Sequence, residues 1–188
     1  MPDGTQLPRP ADAGAINLPN AITFARLCAV PVAVWLVLHQ DFMAAFWLFI
    51  AAGASDAIDG WLARRRGPSY VGALLDPVAD KALLVTMYVA LAVVHVLPDW
   101  LAILVVFRDV VIVGGVLVLY LLGQPPVMRP LLISKVNTAL QLFVVAVALL
   151  LAGLGQAAPR VMTVLVWAVV VSTVASGAAY VRKAARTG

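Results

Sequence analysis

Six apolar stretches, each close to the roughly 20 residues a helix needs to cross a bilayer, take up most of this chain. They run from about Ile22 to Leu38, Ala44 to Arg64, Gly72 to Val96, Trp100 to Leu122, Leu131 to Leu151 and Val161 to Tyr180. Such a chain has few folds open to it. In lipid every backbone amide must bond within its own segment or within a closed barrel, and stretches of this length satisfy that as α-helices. The breaks carry turn chemistry: Pro19-Asn20, Pro98, a Gly123–Pro130 segment holding Gly123, Pro125, Pro126 and Pro130, and Gly153 to Pro159. The expected fold is therefore all-α, a polytopic membrane protein with six transmembrane helices in one bundle. The connecting segments are too short for a second domain, and no internal repeat is evident.

Composition agrees. Of the 188 residues 63% are hydrophobic and 12% charged, about half the share of charge in a soluble domain, and the mean hydropathy is +1.00. This excludes a soluble enzyme, a disordered tail and a secreted disulfide scaffold. Cys28 is the single cysteine and has no internal partner. Residues 1–18, with Pro2, Pro8, Pro10, Gly4, Gly14, Asp3 and Asp12, lack the basic start and apolar run of a signal peptide. They are expected to form a flexible cytosolic or interfacial arm, followed by a six-helix domain over 19–181 and a basic cytosolic tail over 182–188.

The net charge is +4. The bases lie near the ends of the apolar runs, which points to membrane orientation and anionic lipid, not to nucleic acid. With the N-terminus inside, cytosolic segments hold Arg9, Arg64, Arg65, Arg66, Arg129, Arg182, Lys183 and Arg186, and the far side holds Arg160. The positive-inside rule thus puts both termini in the cytosol, in a bacterial inner membrane by this reading.

All nine acidic residues are Asp, and four of them lie between positions 56 and 80. The segment reads SDAIDGWLARRRGPSYVGALLDPVADK from Ser55 to Lys81. On a helix Asp56, Asp59 and Ala63 share a face with Gly60 beside them, and on the next helix Gly72, Asp76 and Asp80 share another. A loop with Gly67-Pro68 would make the two helices antiparallel neighbours and turn the four carboxylates toward each other. Unneutralised, they would repel and raise each other's pKa. Divalent cations between them remove that conflict, and hard oxygen ligands without His or Cys suit Mg²⁺ or Mn²⁺. Gly60 and Gly72 leave room for a ligand, and the Arg64–Arg66 run adds positive charge. Together these describe a site for a phosphorylated ligand at the cytosolic ends of the second and third helices. The competing account is a structural Asp–Arg network at the helix ends, and for Arg65 and Arg66 it is the better one. A second competitor, an ion-coupled transporter, would place its carboxylates near the membrane midplane and show a repeat.

Asp56-x2-Asp59-Gly60-x2-Ala63-Arg64 followed by Gly72-x3-Asp76-x3-Asp80 resembles the signature of the CDP-alcohol phosphatidyltransferases, membrane enzymes with six spanning helices. The gap between Arg64 and Gly72 is shorter than the family's usual spacing, and the Gly67-Pro68 loop is expected to absorb the difference. Leu18-Pro19-Asn20-x2-Thr23-x2-Arg26 resembles the family's opening motif. Arg108-Asp109, with Ile133-Ser134-Lys135-Val136-Asn137-Thr138-Ala139, is similar to the cardiolipin synthase branch.

The resemblance implies a mechanism. CDP-diacylglycerol would donate a phosphatidyl group to an alcohol, and CMP would leave. Asp56, Asp59 and Asp76 would hold two divalent ions, with Asp80 sharing one and acting as the general base. Gly60, Ala63 and Gly72 would border the nucleotide, Arg64 would contact the diphosphate, and Asn20 and Thr23 would line the same pocket. The implied acceptor is phosphatidylglycerol, giving cardiolipin; the alternative is glycerol 3-phosphate. Arg108, Arg129 and Lys135 are the candidate acceptor-binding cations. For Arg108 a buried pair with Asp109 or another Asp is an equal alternative, because an unpaired charge inside a span is costly. The resemblance also implies a homodimer as a possible assembly.

Overall fold

The computed structural model describes residues 18–66, 70–121 and 132–184, with side chains described over 24–55, 81–115 and 132–179 and at 182. Among these the chain forms six α-helices and no strand: α1 Leu18–Leu38, α2 Phe42–Arg66, α3 Tyr70–Val93, α4 Asp99–Leu121, α5 Leu132–Gly153 and α6 Pro159–Ala184. Each apolar run is one helix. Residues 1–17 of the expected 1–18 arm and residues 185–188 of the expected tail lie outside the described residues; Leu18 already begins α1, and α6 continues through Arg182 and Lys183.

The helices close into a ring. α1 packs on α2 and α3, α2 on α5, α5 on α6, α6 on α4 and α4 on α3, while α3 and α5 also meet across the middle. The inward stripes follow helical spacing. On α3 they are Leu84, Met87, Tyr88 and Leu91, and on α5 Asn137, Gln141, Val144, Val145, Ala148 and Leu149. These meet Val37 of α1, Phe49 of α2, Leu101 and Val105 of α4 and Val169 of α6 in one core.

Three turns at one end of the bundle share one construction. α1 ends with Gln40 in the left-handed region (φ 60), its amide bonding Val37 O and the next amide, of Asp41, bonding Leu36 O. α3 ends the same way at His95 (φ 59), with bonds from His95 to Ala92 O and from Val96 to Leu91 O. α5 ends so at Gly155 (φ 62), with bonds from Gly155 to Ala152 O and Gln156 to Leu151 O. This is the Schellman arrangement, which satisfies the last carbonyls of a helix. It explains why α3 stops at Val93 although the apolar run continues to Val96: His95 leaves helical geometry and Pro98 cannot continue the helix. Asp41 then starts α2, accepting the Ala44 amide at its side chain (3.4 Å). Pro159 occupies the first position of α6, where its missing N–H is not needed.

At this end α5 and α2 approach closely. A Cβ on Gly153 would lie 3.0 Å from Met43 N and 3.2 Å from Met43 Cα. Gly153→Ala is therefore expected to destabilise the fold by about 1–3 kcal/mol, the cost of overpacking against backbone. Thermal unfolding in detergent checks this; an unchanged Tm would mean that α2 can move away freely.

The outer surface is apolar. Phe24, Ile103, Phe107, Val113, Val164 and Trp167 are all well exposed, whereas Arg108, Asp109, Asn137, Gln141, Thr173 and Ser176 are buried. That is the reverse of a soluble domain. By length and composition two described segments, Leu132–Gly153 and Pro159–Ala179, are long and apolar enough to cross a membrane. Phe24–Leu38, Phe42–Ser55 and Lys81–Val93 are apolar over shorter lengths.

Candidate functional site

The polar groups of the interior gather where α3, α4, α5 and α6 converge. Arg108 and Asp109 on α4 are its centre. Arg108 Nη1 donates to Asp109 Oδ1 at 2.7 Å. Arg108 Nη2 donates to Ser134 Oγ of α5 at 2.9 Å and to Ser176 Oγ of α6 at 2.6 Å. The second oxygen of Asp109 accepts from Lys81 Nζ of α3 at 2.6 Å. Two adjacent residues thus tie four helices together. A pair this buried is weak evidence for net stability, because desolvation offsets the attraction, but breaking it leaves an uncompensated charge.

A second knot lies one turn further along α5. Asn137, fully buried, accepts at Oδ1 from Ser172 Oγ (2.7 Å) and Thr173 Oγ1 (2.9 Å), both on α6. Asn137 and Gln141 sit four residues apart in the inward stripe of α5. Tyr88 of α3 donates its hydroxyl to the Gln141 backbone carbonyl at 3.2 Å. Interhelical bonds of this kind average about 0.6 kcal/mol in membrane bundles. Their larger effect is to fix the register of α5 against α6, and so the placement of Ser134 and Lys135.

The expected site residues fall into three groups. Asn20 and Thr23 belong to α1, Asp56, Asp59, Gly60, Ala63 and Arg64 to α2, and Gly72, Asp76 and Asp80 to α3; their side chains lie outside the described residues. Arg129 lies outside them altogether. Among the described residues no group of three His, Cys, Asp or Glu could hold a metal, and the four aspartates are not among those side chains. Arg108 is buried in the polar junction, paired with Asp109. Lys135 is exposed and lines a shallow cavity of about 360 Å³ with Ser134, Thr138, Ala139 and Leu142. α2 continues in helical form through Arg66 and α3 begins at Tyr70, so the short gap between Arg64 and Gly72 is spanned by residues 67–69 and two helix ends. Arg26, in the expected opening motif, is buried in α1.

Lys81, Ser172, Thr173 and Ser176 were not marked by the motifs. The signal available for them is spacing: hydroxyls at 172, 173 and 176 interrupt one side of an otherwise apolar α6, as Asn137 and Gln141 interrupt α5.

Among the described residues the helices thus form a ring with many apolar side chains exposed and a charged, hydroxyl-rich junction inside. A family model for CDP-alcohol phosphatidyltransferase matches residues 16–175, and the chain belongs to that family. The chain is 36% identical over 185 residues to the CDP-diacylglycerol–glycerol-3-phosphate 3-phosphatidyltransferase 1, chloroplastic, of Oryza sativa subsp. japonica, covering 88% of this chain and 56% of that relative. It is 33% identical over 150 residues to the cardiolipin synthase (CMP-forming) of Homo sapiens, covering 71% of this chain and 50% of that relative. It is 30% identical over 150 residues to the CDP-diacylglycerol–glycerol-3-phosphate 3-phosphatidyltransferase of Bacillus subtilis, covering 71% and 77%. The chain thus spans about half the length of the rice and human relatives.

Proposed function

We propose that this chain transfers a phosphatidyl group from CDP-diacylglycerol to the hydroxyl of phosphatidylglycerol, releasing CMP and forming cardiolipin. The observation that carries this reading is the family match, which takes in all four aspartates of α2 and α3 as well as the Arg108–Asp109 junction. The acceptor rests on the Ile133–Ala139 segment, from which Ser134 enters the junction, Asn137 the second polar knot, and Lys135 lines the cavity with Ser134.

By this reading all six helices cross the bilayer, and the apolar exterior faces lipid. The turns at 39–41, 94–98 and 154–158 lie on the far side. The termini, the 67–69 and 122–131 connections and the active site face the cytosol of a bacterial cell. The arginine-rich end of α2 and the Arg182–Lys183 end of α6 support that sense.

The donor set fits two divalent ions such as Mg²⁺ or Mn²⁺. The four acids on α2 and α3 come with no His or Cys nearby in the chain, and the cations Lys81 and Arg108 are held by Asp109. Asp56, Asp59, Asp76 and Asp80 would hold the ions, which when bound clamp a diphosphate and stabilise charge on the leaving phosphate. Asp80 takes the proton from the acceptor hydroxyl. Gly60, Ala63 and Gly72 leave space for the cytidine, Arg64 binds the diphosphate, and Asn20 and Thr23 border the nucleotide. Lys135 and Arg129 bind the acceptor's phosphate. Arg108, buried, donates to Ser134 next to Lys135 and orients that segment.

A second reading has a specific observation in its favour: the rice relative, matched over 185 residues, and the Bacillus subtilis relative are both named for glycerol 3-phosphate. One assay separates the two. Purified protein is given CDP-diacylglycerol, Mn²⁺ and either phosphatidylglycerol or glycerol 3-phosphate, and CMP is measured. Release only with phosphatidylglycerol is expected. Release only with glycerol 3-phosphate would overturn the cardiolipin reading and leave the transferase reading standing.

A further inference from the structure

Between α3 and α4 the outside of the bundle carries a groove of about 610 Å³, the size of a small-ligand site. Small residues make it concave: Ala92 and Ala102 are buried in its lining, while Val93, Ile103 and Phe107 stand exposed around them. The lining is apolar except at one end, where His95 and Asp99 belong to the turn between the two helices and its edge. Both of these side chains are exposed, and among the described residues no ion pair holds Asp99. From Asp99 to Val110, the last lining residue on α4, the helix rises about 16 Å. That is half of the roughly 30 Å hydrocarbon core of a bilayer. Trp100 follows Asp99 and meets Trp167 of α6 with ring centroids 6.3 Å apart, both side chains exposed. Indoles concentrate at the headgroup level. The polar end of the groove therefore belongs at the membrane–water interface, and its apolar length within one leaflet.

We infer that this groove seats one acyl chain of a phospholipid that is neither donor nor acceptor, with an amine-bearing headgroup of the phosphatidylethanolamine class at Asp99 and His95. The inference rests on the reading that α3 and α4 cross the bilayer. A groove that is apolar along its length and charged at one end fits an amphiphile lying along the membrane normal, and its depth fits one leaflet. A helix of a second copy would follow α3 and α4 through the whole span, whereas the groove stops at Val110. Asp99 selects the headgroup: its carboxylate attracts an ammonium and repels the net negative charge of phosphatidylglycerol or cardiolipin. The His95 ring offers an N–H to the lipid phosphate. Ala92 and Ala102 supply the space, because a longer side chain at either position would occupy the path of the chain.

The test is native mass spectrometry of the full chain released from detergent micelles after titration with phosphatidylethanolamine. The wild type is expected to retain one such lipid. Ala102→Leu fills the groove and is expected to raise the lipid concentration at half-occupancy by at least about tenfold, the worth of displacing two buried methylenes. Asp99→Asn leaves the groove open and removes the charge; a rise of about fivefold is expected, the worth of one charge at a membrane surface. If Ala102→Leu does not fold, Ile103→Trp narrows the groove from its exposed wall, and the same loss is expected of it. Half-occupancy unchanged by the groove-filling variant overturns the inference, and so does half-occupancy unchanged by Asp99→Asn. A lipid-free wild-type dimer that the groove-filling variant converts to monomer gives the groove to a second copy and also overturns it. Protein that needs detergent to stay in solution but retains no phosphatidylethanolamine overturns this inference alone. Protein that stays in solution without detergent overturns the membrane-spanning reading with it.

Discussion

Asp80→Asn is expected to lower turnover by about 10²–10⁴-fold, the usual contribution of a positioned general base, while CDP-diacylglycerol binding stays largely intact. Asparagine preserves the size of the side chain and one oxygen, but its amide cannot take the acceptor's proton. Asp76 stands one turn earlier on α3 and would keep its share of the site. CMP release gives the rate, and equilibrium binding of the donor gives the control. Loss of kcat with KM nearly unchanged is the signature of an interaction made only in the transition state. If donor binding falls with turnover, position 80 serves binding and the base lies elsewhere. If turnover is unchanged, Asp80 has no part in the proton transfer.

Asp109→Leu should be the most damaging single change to stability at the polar junction, at about 3–5 kcal/mol. It removes one partner of a buried pair and leaves the Arg108 guanidinium, among the described residues, with the hydroxyls of Ser134 and Ser176. Replacing both charges, as in Arg108→Met/Asp109→Leu, is expected to recover much of the loss, because apolar pairs of similar volume are often neutral replacements for buried ion pairs. Lys81 contributes less to this balance, since its side chain is partly exposed. Unfolding in mixed micelles measures both variants. A loss below about 1 kcal/mol for Asp109→Leu would place the pair with exposed ion pairs, whose contributions are small.

The elements were legible in the sequence, and their neighbours were not. Apolar run length and the positions of Pro98 and Pro159 locate the helices to within a few residues. Gly155 announces its turn, but Gln40 and His95 adopt the same left-handed conformation without the glycine or asparagine that would signal it. That is why α3 ends earlier than its apolar run. The pairing of Arg108 with Asp109 could be anticipated because an unpaired charge inside a span is costly. Its further partners could not: Lys81 lies 28 residues from Asp109, and Ser176 lies 68 from Arg108. Helical periodicity says which face of a helix is special and nothing about which other helix meets it. The ring order, with α3 and α5 meeting across the centre, carries that information.

The three turns built alike at 40, 95 and 155 divide the chain into three helical hairpins: α1 with α2, α3 with α4, and α5 with α6. The polar junction respects no such division. Lys81, Arg108 and Asp109 come from the middle hairpin, while the hydroxyls of Ser134 and Ser176 that receive Arg108 come from the last. On the proposed membrane reading, the middle hairpin would enter the bilayer with Arg108 already beside Asp109, but with the two hydroxyls that also receive its guanidinium still to be synthesised. A chain interrupted before α5 would therefore leave the Arg108 guanidinium without the Ser134 and Ser176 hydroxyls that complete its surroundings.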